Sequence, residues 1–176
     1  VFDATRKQAF IPQKNSILAV SYESGASTWS AQPVLKGHPY QMAIVDQGLL
    51  VLGGVDPQKE GDHDFITLLD PVDGKPVWTK DFARLDHQFT SNFVIYRRHA
   101  WIYSKKKFWC VDLIDGSSQK LIDSLKFASN EPTPFLELSD SAFLLTGLNS
   151  IARVEKDGSL RFLTKYNPPP AHWGIG

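Results

Sequence analysis

Four glycines, Gly25, Gly74, Gly116 and Gly158, each sit in a polar turn between two apolar runs, and their intervals of 49, 42 and 42 residues constrain the fold more than any other feature. The surrounding stretches read ILAVSYESGASTW, FITLLDPVDGKPVW, FWCVDLIDGSSQKL and SIARVEKDGSLRF. The longer first interval contains the polar insert Gly54 to Asp64, GVDPQKEGDHD, and its extra loop residues account for the difference. A period in the low forties is the mark of a repeated four-stranded unit.

Each glycine has a physical reason to be there. A two-residue hairpin needs positive φ in its turn, which Gly adopts without steric cost and which Asp or Asn tolerates. Three turns read Asp-Gly (Asp73, Asp115 and Asp157) and the first reads Ser24-Gly25, so two-residue hairpins are expected. Four residues after the glycines stand Trp29, Trp78, Lys120 and Phe162. Three of these are large aromatics at one structural position, suited to packing between neighbouring sheets. Lys120 breaks the pattern, with Leu121 beside it.

The repeats fall at about residues 7–30, 38–82, 88–125 and 132–166 of a single domain spanning 1–176. Within them, short runs rich in β-branched and aromatic residues are separated by turn residues, as in an all-β chain. Asn15-Ser16-Ile17 and Val20 match Asn149-Ser150-Ile151 and Val154, an internal agreement independent of the glycines. Leu121 to Phe127 is the one stretch with a helical turn in its pattern. The first repeat shows no clear opening strand. Asn167-Pro168-Pro169-Pro170 parallels Glu131-Pro132-Thr133-Pro134, the linker before the fourth repeat. Residues Ala171 to Gly176 are therefore expected to supply the missing strand and close a ring, the rival being a segment of a larger ring.

Nineteen basic and nineteen acidic side chains cancel, which argues against a global footprint for nucleic acid or an anionic membrane. No apolar run reaches the roughly 18 residues of a membrane helix. Cys110 is the single cysteine, which excludes a disulfide within the chain, and its apolar flanks Trp109 and Val111 mark it as a buried, inert thiol.

Several stretches carry side chains capable of chemistry. Asp56, Glu60, Asp62, His63 and Asp64 gather four carboxylates and an imidazole in the insert, but their spacing does not match a twelve-residue calcium loop, and no metal site is assigned. The histidines lack zinc spacing. Gly53-Gly54 is not followed by a phosphate loop and reads as a strand-end distortion. No GxSxG elbow or HExxH motif occurs, and no catalytic residue is assigned. In an up-and-down meander, loops between second and third strands leave the same face of successive repeats. Asp62, His63 and Asp64 are thus expected beside Lys105, Lys106 and Lys107, on a binding face carried by a rigid scaffold.

The motif LLDPVDGKPVW, with Asp70, Gly74 and Trp78, resembles the repeat of pyrroloquinoline-quinone-type (PQQ-like) β-propellers. The second repeat matches in full. In the first, Ser21 replaces the aspartate while Gly25 and Trp29 match. The third keeps Asp112 and Gly116 without the tryptophan, and the fourth keeps Gly158 with Phe162 in the aromatic place. The resemblance implies an all-β propeller of about four blades of four antiparallel strands, as a closed ring or a segment. Enzymes of the family hold a quinone and a calcium or lanthanide ion in a central funnel, with a catalytic aspartate and usually an adjacent cysteine pair. One cysteine excludes that pair, and four repeats fall short of the eight-bladed enzymes. These departures point to a non-catalytic scaffold for protein or ligand binding, without a cofactor. Its partners would be a protein or the remaining propeller blades, and its location extracytoplasmic. Two alternatives stand beside it: part of a quinone-dependent dehydrogenase or other propeller enzyme, and a carbohydrate-binding propeller using aromatics such as Trp101 or Trp173.

Overall fold

In this computed structural model the described residues are 1–31, 37–54, 63–83, 92–96, 98–104, 107–122, 135–139, 142–147, 150–154 and 160–165. They form sixteen strands in four sheets. The first sheet holds β1 (Phe2–Asp3), β2 (Gln8–Pro12), β3 (Ile17–Ser21) and β4 (Ser27–Ala31). The second holds β5 (His38–Val45), β6 (Gly48–Gly54), β7 (His63–Leu69) and β8 (Pro76–Ala83). The third holds β9 (Asn92–Tyr96), β10 (His99–Ser104), β11 (Lys107–Asp112) and β12 (Ser118–Ile122). The fourth holds β13 (Phe135–Ser139), β14 (Ala142–Gly147), β15 (Ser150–Val154) and β16 (Leu160–Lys165). Each sheet is an antiparallel meander whose strands lie in sequence order, the all-β arrangement that the glycine spacing predicts.

The first sheet corrects one expectation. Its opening strand is β1, paired Phe2↔Ala9 and Asp3↔Gln8, so the premise for a closing strand at Ala171 to Gly176 falls away. Residues 171–176 themselves lie outside the described residues. Two residues make too short a run to show a hydrophobic pattern, and β1 is fixed by polar contacts instead. Asp3 accepts hydrogen bonds from the Thr5 and Arg6 backbone N–H groups at 3.0 and 3.1 Å and from Arg6 Nη1 at 2.8 Å. Burial alone would raise the Asp3 carboxyl, but the Arg6 side-chain and backbone bonds outweigh it and hold the carboxyl below its usual range. The helical turn expected at Leu121 to Phe127 is also corrected: Leu121 and Ile122 belong to β12, and the rest lies outside the described residues.

The three described motif turns are four-residue loops, not two-residue hairpins, and the Asp157-Gly158 turn lies outside the described residues. Gly74 N donates to Asp70 O at 2.8 Å and Asp70 N to Lys75 O at 2.8 Å, and the same pair of bonds closes Ser21 to Ala26 and Asp112 to Ser117. Only the glycines take positive φ, +72° at Gly25, +73° at Gly74 and +71° at Gly116, so the preceding Asp or Ser has a different task. Asp70 Oδ1 accepts from Val72 N and Asp73 Oδ1 from Lys75 N. Asp112 and Asp115 do the same for Ile114 and Ser117, and in the first sheet Ser21 and Ser24 substitute with their hydroxyls. The two motif carboxylates therefore hold the loop by capping backbone N–H groups two residues on.

The second sheet is buried on both sides, which explains the unalternated run GLLVLGG of β6. Leu50, Leu52, Ile66 and Leu68 pack with Phe82 against Phe93, Ala100, Ile102, Val111 and Leu113 of the third sheet. Leu49, Val51, Phe65 and Leu69 pack on the other side against Phe10, Ile17 and Ala19 of the first. Two further devices join the sheets. The Trp29 indole lies over Gly74, where an added Cβ would meet its Cε3 at 2.6 Å, and its Nε1 donates to Pro71 O at 3.0 Å. Trp78 repeats this one sheet later, lying over Gly116 and donating to Leu113 O at 3.1 Å. At the opening strands, the Gln41 amide donates to Phe93 O at 3.1 Å and accepts from Phe93 N at 2.8 Å, standing in for a neighbouring strand. The turn glycine thus answers two demands, a left-handed backbone and room for the preceding sheet's indole.

Candidate functional site

Strand direction alternates, so first-to-second and third-to-fourth connections leave one end of each sheet and second-to-third connections leave the other. Of the six residues expected on the latter end, Asp62, Lys105 and Lys106 lie outside the described residues. His63 opens β7 opposite Ala83, and Lys107 opens β11 opposite Ser104, so each begins the third strand of its sheet at that end. Asp64 is described in full. It is half-buried, paired with Gly54 and Phe82, and its Oδ1 lies with the Tyr40 hydroxyl over the Gly54 backbone.

That contact adds to the reading of Gly53-Gly54, whose distortion falls on the strand opposite Leu52 and Gly53. β6 and β7 run in register without a break there, and the irregularity lies across the sheet on β5, between Pro39 and Gln41. The glycines are needed for close approach. A Cβ on Gly53 would collide with the Phe65 ring and the His38 carbonyl, and one on Gly54 with Asp64 and Tyr40.

The opposite end carries features that motif reading passed over. Val72 and Ile114, each two residues after the first aspartate of its turn, are 67% and 58% exposed and stand at equivalent tips of successive loops. Their shared offset from Asp70 and Asp112 was the available signal. Below the third sheet's turn, His99, Cys110, Asp112, Ser117 and Ser118 line a shallow depression of about 200 Å³. Register brings the first three together, since His99 faces Asp112 and Trp101 faces Cys110 across β10 and β11. Arg98 binds the Asp112 carboxylate at 2.5 Å, while His99 Nε2 stands 3.8 Å from it, beyond hydrogen-bond range.

A cysteine, histidine and aspartate in one depression invite comparison with a nucleophilic triad. Burial, and then the Asp112 charge, push the Cys110 thiol up to about 11, so it stays protonated and unreactive near neutral pH. The thiol is inert, as its flanks suggest, but half-buried at the depression and not fully buried as they suggest. Trp101 is only 8% exposed, with its ring 6.2 Å from that of His99, so it does not offer the open stacking surface that a carbohydrate site requires. Trp173 lies outside the described residues. Among the described residues there is no group of three or more His, Cys, Asp or Glu side chains placed to hold a metal ion, and no helix is long and apolar enough to cross a membrane.

No protein-family model matches the sequence, and no curated protein does. Solved structures do. The Pan2 WD40 domain of Neurospora crassa aligns at a TM-score of 0.62 and 13% identity, over 94% of this chain and 48% of that one. A protein of unknown function from Bacteroides caccae aligns at 0.59 and 10% identity, over 92% of this chain and 57% of that one. The AfRom2 CNH domain aligns at 0.57 and 16% identity, over 94% and 58%. The fold is a β-propeller fold, and the four sheets are its blades. The chain spans about half the length of the propellers it aligns with.

Proposed function

We propose that this chain is a non-catalytic scaffold of the PQQ-like propeller kind, acting at an extracytoplasmic site. It binds a protein partner or ligand where the second-to-third connections leave the blades, through Asp62, His63, Asp64, Lys105, Lys106 and Lys107. The observation that carries this reading is the interlocking of blades two and three by Trp78, Gln41 and a continuous core, which gives the loops above a rigid base. Loops of both charge signs on such a base suit recognition more than chemistry. The protonated Cys110 thiol leaves the described depression without a thiolate nucleophile.

Two measurements test it. Absorbance and metal analysis of the purified protein are expected to find neither quinone nor calcium; a bound quinone with stoichiometric calcium overturns the scaffold reading in favour of a propeller enzyme. Replacing Lys105, Lys106 and Lys107 together by Glu is expected to abolish crosslinking to the partner in native extracts while the circular dichroism spectrum is kept. Unchanged crosslinks would move the binding face elsewhere.

A further inference from the structure

The docking device that joins blade one to two and blade two to three has a third seat, on blade one, with no described residue on it. Gly74 and Gly116 are buried under Trp29 and Trp78. Gly25 has the same φ and the same loop, yet it is exposed, and no described atom lies within 4 Å of where its Cβ would stand. The carbonyls that accept the indole N–H belong to Pro71 and Leu113, both buried; the equivalent residue in blade one, Tyr22, is 48% exposed.

A second observation, on the sheet face and not the turn, agrees. Val51 and Ile11 hold the same position, each on the second strand opposite the residue seven before the turn glycine. Val51 is 0% exposed under blade one, and Ile11 is 44% exposed. Phe2, on the same face through its pairing with Ala9, is 75% exposed. Its counterpart Ile44 packs into the core between blades one and two. This face of blade one therefore has the composition of a blade-covered surface without the blade.

We infer that the seat is taken by a further four-stranded blade of the same polypeptide, outside residues 1–176, whose outermost strand places a tryptophan over Gly25 and donates its indole N–H to the Tyr22 carbonyl. The chemistry of the seat selects that occupant. Twice in this molecule it holds a flat indole ring on a glycine and an N–H on a carbonyl. The docking positions of blades three and four carry Lys120 and Phe162, neither of which is an indole. Phe162 is opposite Ala152, in the register that sets Trp29 opposite Ala19 and Trp78 opposite Leu68, so blade four is built to dock but without the N–H. The aligned propellers are about twice as long as this chain, which leaves room for such a blade.

Hydroxyl-radical footprinting of the protein isolated from its native source, beside the 176-residue chain, tests the inference. In the native protein, labelling of Phe2, Ile11 and Tyr22 is expected to fall to the level of Val51 and Leu113, and in the 176-residue chain to stay high. High labelling in both overturns it. Protection in the 176-residue chain overturns it as well, a monomer then assigning the seat to its own fourth blade and a dimer to a second copy. Replacing Ile11 by Lys gives an independent readout: the native protein should lose stability, and the 176-residue chain should keep it. Equal effects in the two would also refute the covered face.

Discussion

Replacing each turn glycine by alanine separates the backbone cost of the loop from the packing cost of docking. An L-residue held in the left-handed region costs about 1–2 kcal/mol, and all three glycines share that conformation. In the 176-residue chain Gly25→Ala should therefore cost about 1–2 kcal/mol and no more, because no described atom lies near the new methyl group. Gly74→Ala and Gly116→Ala add an overlap, since their Cβ atoms would stand 2.6 Å from Trp29 Cε3 and 2.7 Å from Trp78 Cε3. Relief requires the indole to lift, weakening its hydrogen bond to Pro71 O or Leu113 O as well as its stacking. Overpacking of this kind typically costs about 1–3 kcal/mol, and a lost hydrogen bond about 1 kcal/mol. The two interior substitutions should thus cost about 3–6 kcal/mol in all, roughly 2–4 kcal/mol more than Gly25→Ala.

The assay is urea unfolding followed by tryptophan fluorescence and circular dichroism, combined with a double-mutant cycle. In a Trp78→Ala background the indole is gone, so Gly116→Ala should shrink to the backbone cost alone, about 1–2 kcal/mol. Trp78→Ala itself should cost about 3 kcal/mol, the low end for a tryptophan because the ring is only half-buried. Equal costs at Gly25, Gly74 and Gly116, or a Gly116→Ala effect that ignores the loss of Trp78, would refute the docking argument.

Three other outcomes follow from single sites. Gln41→Ala strips both partners from the Phe93 backbone and should cost about 2–3 kcal/mol in urea unfolding; a loss under about 0.5 kcal/mol, the range of an ordinary surface change, would remove its role as a clamp between blades. Alkylation of Cys110 by iodoacetamide should be slow at neutral pH and accelerate as the pH rises towards about 11, and rapid reaction at pH 7 would contradict a protonated thiol. Asp3 is held below its usual range by Arg6, so its contribution is present above the unfolded carboxyl value and is lost as pH falls through the lower folded value. The stability gap between the wild type and Asp3→Asn should therefore narrow in acid, and a gap constant from neutral pH to the acid limit would exclude the charge as its source.

Legibility in the sequence tracked how local each interaction is. Asp70 and Asp73 cap N–H groups two residues on, Gly74 supplies its own φ, and Trp78 follows four residues later, so the whole device fits in a window short enough to recur visibly. Even so, the turn type is not legible in that window, because Asp-Gly serves both a two-residue hairpin and a four-residue loop. Only the bonds from Asp70 N to Lys75 O and Gly74 N to Asp70 O distinguish them. Contacts set by register across a sheet left no such trace. Gln41 meets Phe93 at a separation of 52 residues, and His99 meets Asp112 only because β10 and β11 align.

The candidate binding face is the hardest part to read for a related reason. A repeat teaches what each position does by showing it several times, and it is from Gly74 and Gly116 that the exposed Gly25 becomes interpretable. The second-to-third connections do not repeat: one is the acidic insert, another the lysine run, and the first is the short turn Gln13 to Ser16, closed by a Gln13 N to Ser16 O bond of 2.8 Å. Packing asks the same of every blade, whereas the recognition role proposed for these loops asks something different of each. The same physical division that makes the blades predictable from spacing leaves the proposed binding face in the residues where spacing breaks down.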